Sequence, residues 1–340
     1  MDNSSPQSHG EKILHSGASN PQQNDISPAQ LLNHGKRVAC IGNSIQYYND
    51  CPRFLESIAR GRIINQDSCF HGGATLKSLL KQGNGMKYKF RSPNALCLSG
   101  KYENTKVYAS DMGGKIANPQ YDIGAQSVQD LLCNNHNPNK KWDFIVMNDH
   151  TQSPARQTSR AETIEILLSE YAPMILKCQG VPVFLMTAAY RRDGILNSQD
   201  LGTFDEFTSK TYEGYLAFKV ALSRVLPSSQ TPRIAPVGLA YQRVQIENKE
   251  LWERLYHYDH FHPSPHGSFL QGFVIYFTMF GCHSDFKNDI DLFVKNDVIS
   301  NVWDRARLMQ PIFDKPLPKP TKEEALYLID VAERTCIEYS

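Results

Sequence analysis

The sequence predicts an α/β protein built on a mostly parallel sheet with helices on both faces. Short apolar runs recur at residues 38–41, 142–147, 181–186 and 234–237. Their length and composition suit strands buried on both faces. Longer segments with apolar residues at helical spacing lie between them, and Gly, Asn, Ser and Pro punctuate the joints. Alternation of this kind builds parallel strands joined by crossover helices.

Taken in order, residues 1–33 are rich in Ser, Pro, Gln and Asn and are expected to form a disordered arm. The run at 38–41 is the first strand. Residues 53–60 have helical spacing, with Phe54, Leu55 and Ile58 on one side. Ile63–Phe70 fits a second strand, and Gly72-Gly73 marks the turn after it. Residues 82–124 break the pattern: Gly, Asn, Lys, Tyr and Pro dominate and periodicity is poor. This stretch is expected to lie as an insertion over the rim of the sheet, with 106–109 fitting a short hairpin strand.

Order returns with a short helix at 128–132 and a buried strand at 142–147. A helix is expected over 161–179, with Ile164, Leu167, Tyr171 and Ile175 on one face, a kink at Pro173 and an end at Gly180. A strand at 181–186, an amphipathic helix at 204–226 stopped by Pro227, and a last strand at 234–237 follow. Residues 263–280 begin as a turn and become an apolar helix; a proline-rich connector then leads to a final helix at 323–338.

The 340 residues are 41% hydrophobic and 21% charged, which suits one large or two ordinary globular domains. The formal net charge of +1 supplies no global field to draw nucleic acid or an anionic membrane. None of the 8 cysteines is in a CxxC pair or has zinc-ligand spacing with histidine, so they read as small buried thiols. The N-terminal stretch holds no apolar run, and no later stretch reaches the ~18 apolar residues of a membrane span. The expectation is a cytoplasmic protein with no membrane span; secretion after loss of a leader is the alternative.

Four short patches could carry chemistry. Gly42-Asn43-Ser44 ends the first strand, and His71-Gly72-Gly73 follows the second. Asn148-Asp149-His150 follows the third, and Asp259-His260-Phe261-His262-Pro263 precedes the apolar helix. In a parallel sheet these strand ends share one edge, where open α/β sheets bind their ligands. A serine hydroxyl becomes a nucleophile when an imidazole takes its proton, and the imidazole needs an acceptor on its other nitrogen. Ser44, His262 and Asp259 are the candidates, the last two at a spacing of three. Acyl transfer also needs donors for the developing oxyanion. The N–H groups of Ser44 and Gly73 and the side-chain amide of Asn148 are the candidates. His71, Asp149, Gln152 and Tyr190 are weaker candidates for substrate contacts, with Arg191 beside them. Taken singly, each of these residues also suits a turn, a helix cap or the rim of a cleft.

The set, in this order, resembles the SGNH hydrolase superfamily of GDSL-like esterases and lipases, in particular its bacterial-type members. The resemblance runs from about Lys36 to Gly281. It implies a flavodoxin-like three-layer α/β/α sandwich around a five-stranded sheet, with Ser44 as nucleophile, His262 as base and Asp259 as its partner. It also implies Ser44, Gly73 and Asn148 as oxyanion donors, with no cofactor and no metal. Two departures stand out: Asn43 occupies the position where Asp is usual, and the insertion between Gly73 and Asn148 is long. The expected domains are the arm at 1–33, a hydrolase domain at 34–284 and a C-terminal extension at 285–340.

The expected activity is hydrolysis of carboxylic esters. Short acyl groups, such as acetyl on a carbohydrate or another small alcohol, are expected because no long apolar lid is visible. Two readings compete. Asn148-Asp149-His150 with Asp259 through His262 offers ligand types for a metal-dependent phosphoesterase, and the fold could also serve as a non-catalytic binding module. The residues do not specify the oligomeric state.

Overall fold

Among the described residues five strands form one sheet: β1 (Lys36–Gly42), β2 (Ile63–Phe70), β3 (Phe144–Met147), β4 (Val181–Leu185) and β5 (Arg233–Ala235). Their order is β2-β1-β3-β4-β5, and every pair is parallel. This is the flavodoxin-like order, in which the direction of progression reverses between β1 and β3. The computed structural model describes Met1 and residues 35–59, 62–86, 124–133, 141–282 and 317–339. The arm at 1–33, the hairpin strand at 106–109, most of the insertion and most of the connector to the final helix lie outside the described residues.

The strands hold because successive side chains feed opposite layers. Val38, Cys40, Phe144, Val146, Val183 and Leu185 face one core; Ala39, Ile41, Ile145, Met147 and Phe184 face the other. Both faces are covered, so the runs read as unbroken apolar stretches and not as alternating ones.

The helices sort by layer. Between β1 and β2 run α1 (Ser44–Tyr47), a 3₁₀ turn (Tyr48–Asp50) and α2 (Cys51–Ile58). α3 (Leu76–Gln82) and α4 (Val128–Cys133) follow β2. Between β3 and β4 come α5 (Gln152–Ala155), α6 (Gln157–Ile166), a π-helical turn (Leu167–Tyr171) and α7 (Ala172–Cys178). α8 (Phe204–Ser223) precedes β5, and α9 (Val237–Glu247), α10 (Lys249–Arg254), α11 (Pro265–Phe280) and α12 (Lys322–Tyr339) follow it. Phe54 of α2, Tyr241 of α9, Phe269 of α11 and Leu328 of α12 cover one face of the sheet; Leu79, Leu131, Ile175 and Phe218 cover the other.

The expected helix over 161–179 is longer and broken. It starts at Gln157 and passes through the π turn, which ends two residues before Pro173. Proline has no N–H to give the preceding turn, and the wider π turn absorbs that gap. Its end is set by Gln179, which is left-handed (φ 62°), and not by Gly180. The last strand stops at Ala235, and Val237 belongs to α9.

α11 is buried along almost its whole length, from Pro265 to Met279. Phe273 lies fully buried against Phe54, Phe269 and Phe277, with ring centroids 4.9–6.1 Å apart. Phe273→Ala is expected to remove about 3–5 kcal/mol of unfolding free energy. Urea titration followed by circular dichroism checks this; a loss under about 1 kcal/mol would contradict the packing of this ring.

Candidate active site

β1 delivers the first block. A Cβ on Gly42 would lie 1.9 Å from Asn148 Oδ1, so close approach of the two strand ends requires glycine. Asn43 caps α1, its Oδ1 accepting the Ile45 N–H at 3.1 Å. The same oxygen accepts from Asn148 Nδ2 at 2.9 Å, while Asn43 Nδ2 donates to the Ala74 carbonyl at 2.9 Å. An aspartate could accept the first two bonds but could not donate the third. The amide therefore ties the ends of β1 and β3 to the turn after β2. Ser44 is the first residue of α1. Among the described residues no acceptor takes its backbone N–H or that of Gly73.

Gly73 is left-handed (φ 71°), and a Cβ there would meet nothing within 4 Å. Conformation, not crowding, selects glycine at this turn.

The loop between α10 and α11 delivers the imidazole. Tyr256 and Pro263 form an antiparallel bridge, and the His257 N–H donates to the His262 carbonyl at 2.8 Å. The closed loop turns Asp259 back onto His262. Asp259 Oδ1 accepts the N–H groups of Phe261 and His262 at 3.1 and 3.0 Å, and Oδ2 accepts His262 Nδ1–H at 2.7 Å. With Nδ1 carrying the proton, the Nε2 lone pair faces Ser44, whose hydroxyl donates to it at 2.8 Å. Burial pushes the Asp259 carboxyl up, but the neighbouring His257 ring and the hydrogen bonds from His262 outweigh it and hold the group well below the usual carboxylate range. It therefore stays ionised against the imidazole.

Three residues not singled out in the sequence support this chain of bonds. Tyr48 stacks flat on His262, with centroids 3.9 Å apart and planes 1° apart. Asn49, left-handed at φ 51°, donates to the Pro263 carbonyl and to Ser268 Oγ, both at 2.8 Å. The buried His257 sets Nδ1 3.6 Å from Asp259 Oδ2. Tyr48 and Asn49 follow Ser44 by four and five residues, and in the sequence only the Asn, a residue that tolerates the left-handed conformation, hints at the turn.

The other candidates fall in different places. Asn148 is fully buried, and its amide donates to Asn43 Oδ1 and to the Asp149 carbonyl. As an oxyanion donor it would have to give up one of these two bonds. Asp149 is fully buried and accepts from Leu76 N–H, His150 N–H and Thr163 Oγ1. Its carboxylate anchors α3 and does not line the cavity at Ser44. His71 hydrogen-bonds the Gly83 carbonyl, and Arg191 grips His260 and the carbonyl of Glu253; neither lines that cavity. Gln152 lies behind it, donating to Tyr190 Oη and the Leu196 carbonyl. Tyr190 does line it.

The cavity, about 320 Å³, opens on Ser44 and His262 between Ile45, Tyr48, Gly73, Thr151 and Tyr190. A volume of this order suits a small molecule. Among the described residues no group of three or more His, Cys, Asp or Glu stands together to hold a metal ion, and no helix is long and apolar enough to cross a membrane. The seven described cysteines form no disulfide with one another, and burial pushes the Cys178 thiol up to about 11; Cys97 lies outside the described residues.

No protein-family model and no curated protein matches the chain. Among solved structures, the chain is similar to "a putative SGNH hydrolase from Slackia heliotrinireducens". The identity is 20% and the TM-score 0.46, over 72% of this chain and 99% of that one. It is also similar to a DUF4886 family protein from Bacteroides uniformis ATCC 8492, with 13% identity and a TM-score of 0.49 over 89% and 95% of the two chains. At that level of likeness neither says anything about the chemistry of this chain.

The fold shifts two further histidines, His150 on the cavity wall and His266 in the first turn of α11. Burial, then the charge of Arg156, pushes His150 below its ordinary 6.5. Burial also depresses His266, against the opposing pull of its Glu324 partner at 3.0 Å. Depressed folded-state values mean that the unfolded chain takes up protons first. The stability these groups contribute is present above 6.5 and is lost as pH falls below it. The melting temperature is expected to fall from about pH 7 to about pH 5, with a shallower fall in His150→Gln. Thermal melts across that range check this, and a midpoint that rises on acidification would contradict it.

Proposed function

We propose that this chain is a serine esterase that hydrolyses carboxylic esters of small-molecule or carbohydrate alcohols. The single observation that supports the reading most is the unbroken chain of hydrogen bonds, Ser44 Oγ to His262 Nε2 at 2.8 Å and His262 Nδ1 to Asp259 Oδ2 at 2.7 Å. Ser44 Oγ attacks the ester carbonyl while His262 takes its proton. The N–H groups of Ser44 and Gly73 receive the oxyanion. His262 then gives the proton to the departing alkoxide, leaving an acyl group on Ser44. Water enters, loses a proton to His262 and attacks the acyl carbonyl; the bond to Ser44 Oγ breaks, His262 returns the proton to Ser44, and the acid leaves. Asp259 stabilises the imidazolium at each stage, and the Tyr48 face adds attraction for the charged ring.

An alkyl fluorophosphonate probe tests the reading. It is expected to label the wild-type chain at Ser44 and to leave Ser44→Ala unlabelled. Ester hydrolysis undiminished in Ser44→Ala would overturn the assignment.

A further inference from the structure

The chain between β4 and α8 carries an unusual pair. Leu196 (φ 53°) and Asn197 (φ 58°) are both left-handed without being glycine. Asparagine tolerates this conformation; for a leucine it is uncommon and unfavourable. Such a residue persists only where its surroundings impose it, and residues of this kind gather at ligand clamps.

The surroundings are explicit. Gln152 Nε2 holds the Leu196 carbonyl at 2.9 Å, and Arg156 Nη2 holds the Asn197 carbonyl at 2.7 Å. Asp200 fixes Arg156 through two bonds of 2.8 Å, and Arg156 in turn holds Gln152 Oε1. The frame follows directly on the end of β3 and so is registered to the sheet edge that bears Ser44.

What the frame presents is an apolar side chain. Leu196 lines the same cavity as Ser44 and His262, yet 49% of it is exposed. Ile45, Tyr48, Tyr190 and Phe261 complete an apolar wall, and among the described residues no Asp, Glu, Lys or Arg lines this cavity. In ester hydrolysis the acyl group stays on Ser44 through both half-reactions, whereas the alcohol departs after the first. The cavity that contains Ser44 must therefore accommodate the acyl group. An acetyl group ends one methyl from the carbonyl, whereas a longer alkyl chain has the reach to lie along the apolar wall that includes Leu196.

We propose that Leu196, held left-handed by the Gln152–Arg156–Asp200 frame, is the specificity-determining residue of this site and selects butanoyl-to-hexanoyl chains over acetyl. This rests on the esterase reading above. It also narrows the short acyl groups expected from the sequence, moving the preference away from acetyl. That expectation followed from the lack of a long apolar lid, whereas the apolar wall is assembled from single residues on separate segments.

The test is a series of p-nitrophenyl acetate, butanoate and hexanoate with wild type, Leu196→Asn and Leu196→Met. Asparagine accepts the left-handed backbone but is polar; methionine keeps the apolar reach. Each fully buried methylene is worth about fourfold. Wild type is expected to favour butanoate over acetate by about tenfold in kcat/KM. Leu196→Asn should cut that ratio about fivefold and Leu196→Met should keep it within about twofold. A wild-type ratio at or below one, or a ratio unmoved in an active Leu196→Asn, overturns the assignment of Leu196 while Ser44 still labels. If no ester is turned over and Ser44 does not label, the esterase reading falls and this inference falls with it.

Discussion

Ser44→Ala is expected to lower kcat for ester hydrolysis by about 10⁴-fold or more. The melting temperature should stay within about 3 °C. The two halves of that statement have separate physical grounds. The hydroxyl's hydrogen-bond partner in the structure is His262 Nε2, and no other atom of Ser44 can serve as the nucleophile. The backbone that Ser44 contributes to α1 is held by the Asn43 cap and does not depend on the hydroxyl. Pre-steady-state release of p-nitrophenol, with a thermal melt of the same sample, measures both quantities. A Ser44→Ala variant still within tenfold of wild type would remove Ser44 from the reaction.

The second large effect is expected at Asp259. Asp259→Asn should reduce kcat by about 10⁴-fold, through the tautomer of its neighbour and not through unfolding. Oδ1 already takes the N–H groups of Phe261 and His262. If the amide oxygen of asparagine keeps those bonds, its NH₂ group must face His262 Nδ1, where the wild-type Oδ2 sits at 2.7 Å. That nitrogen would then have to accept, which moves the ring proton to Nε2 and aims it at Ser44. An Nε2–H cannot take the serine proton. Imidazole proton resonances report the tautomer directly, so loss of activity with the Nδ1–H signal intact would sink this explanation.

Much of the architecture was legible because its signals are local. Residues 63–70 form a strand as the pattern of the segment suggests, and the apolar stretch before Gly281 is a buried helix. α9 and α10 are less visible. Their apolar residues, such as Val237, Tyr241, Val244 and Trp252, are interleaved with Arg243, Gln242 and Glu250, so no clean stripe marks them. α9 holds by packing against α11 and α12, and α10 packs on α9, which single-segment periodicity does not register.

The candidate site divides along the same line. Asp259 and His262 are three apart, and a tight loop is enough to bring them together. The partners separated by more than a hundred residues are a different case. Asn43 meets Asn148 across 105 positions, and Ser44 meets His262 across 218. Such pairings come from strand order and loop closure, which no residue type announces. Tyr48 shows the limit sharply: nothing in its own segment says that its ring will lie flat on an imidazole from the far end of the chain.

By itself, then, the sequence determined the layers. Runs apolar on every position demand burial on both faces, and amphipathic segments of crossover length supply the cover. It also determined which residue types could act as nucleophile, base and acceptor, since few side chains can. Only the tertiary structure decided which of them meet. It committed Asn148 and Asp149 to internal hydrogen bonds, made Asn43 the tie between three strand ends, and set Leu196 on the cavity wall in a conformation its own preference resists. The physical reason is the range of the forces. Propensity and periodicity act within a few residues, whereas hydrogen-bond geometry and close packing are settled when distant segments compete for the same space.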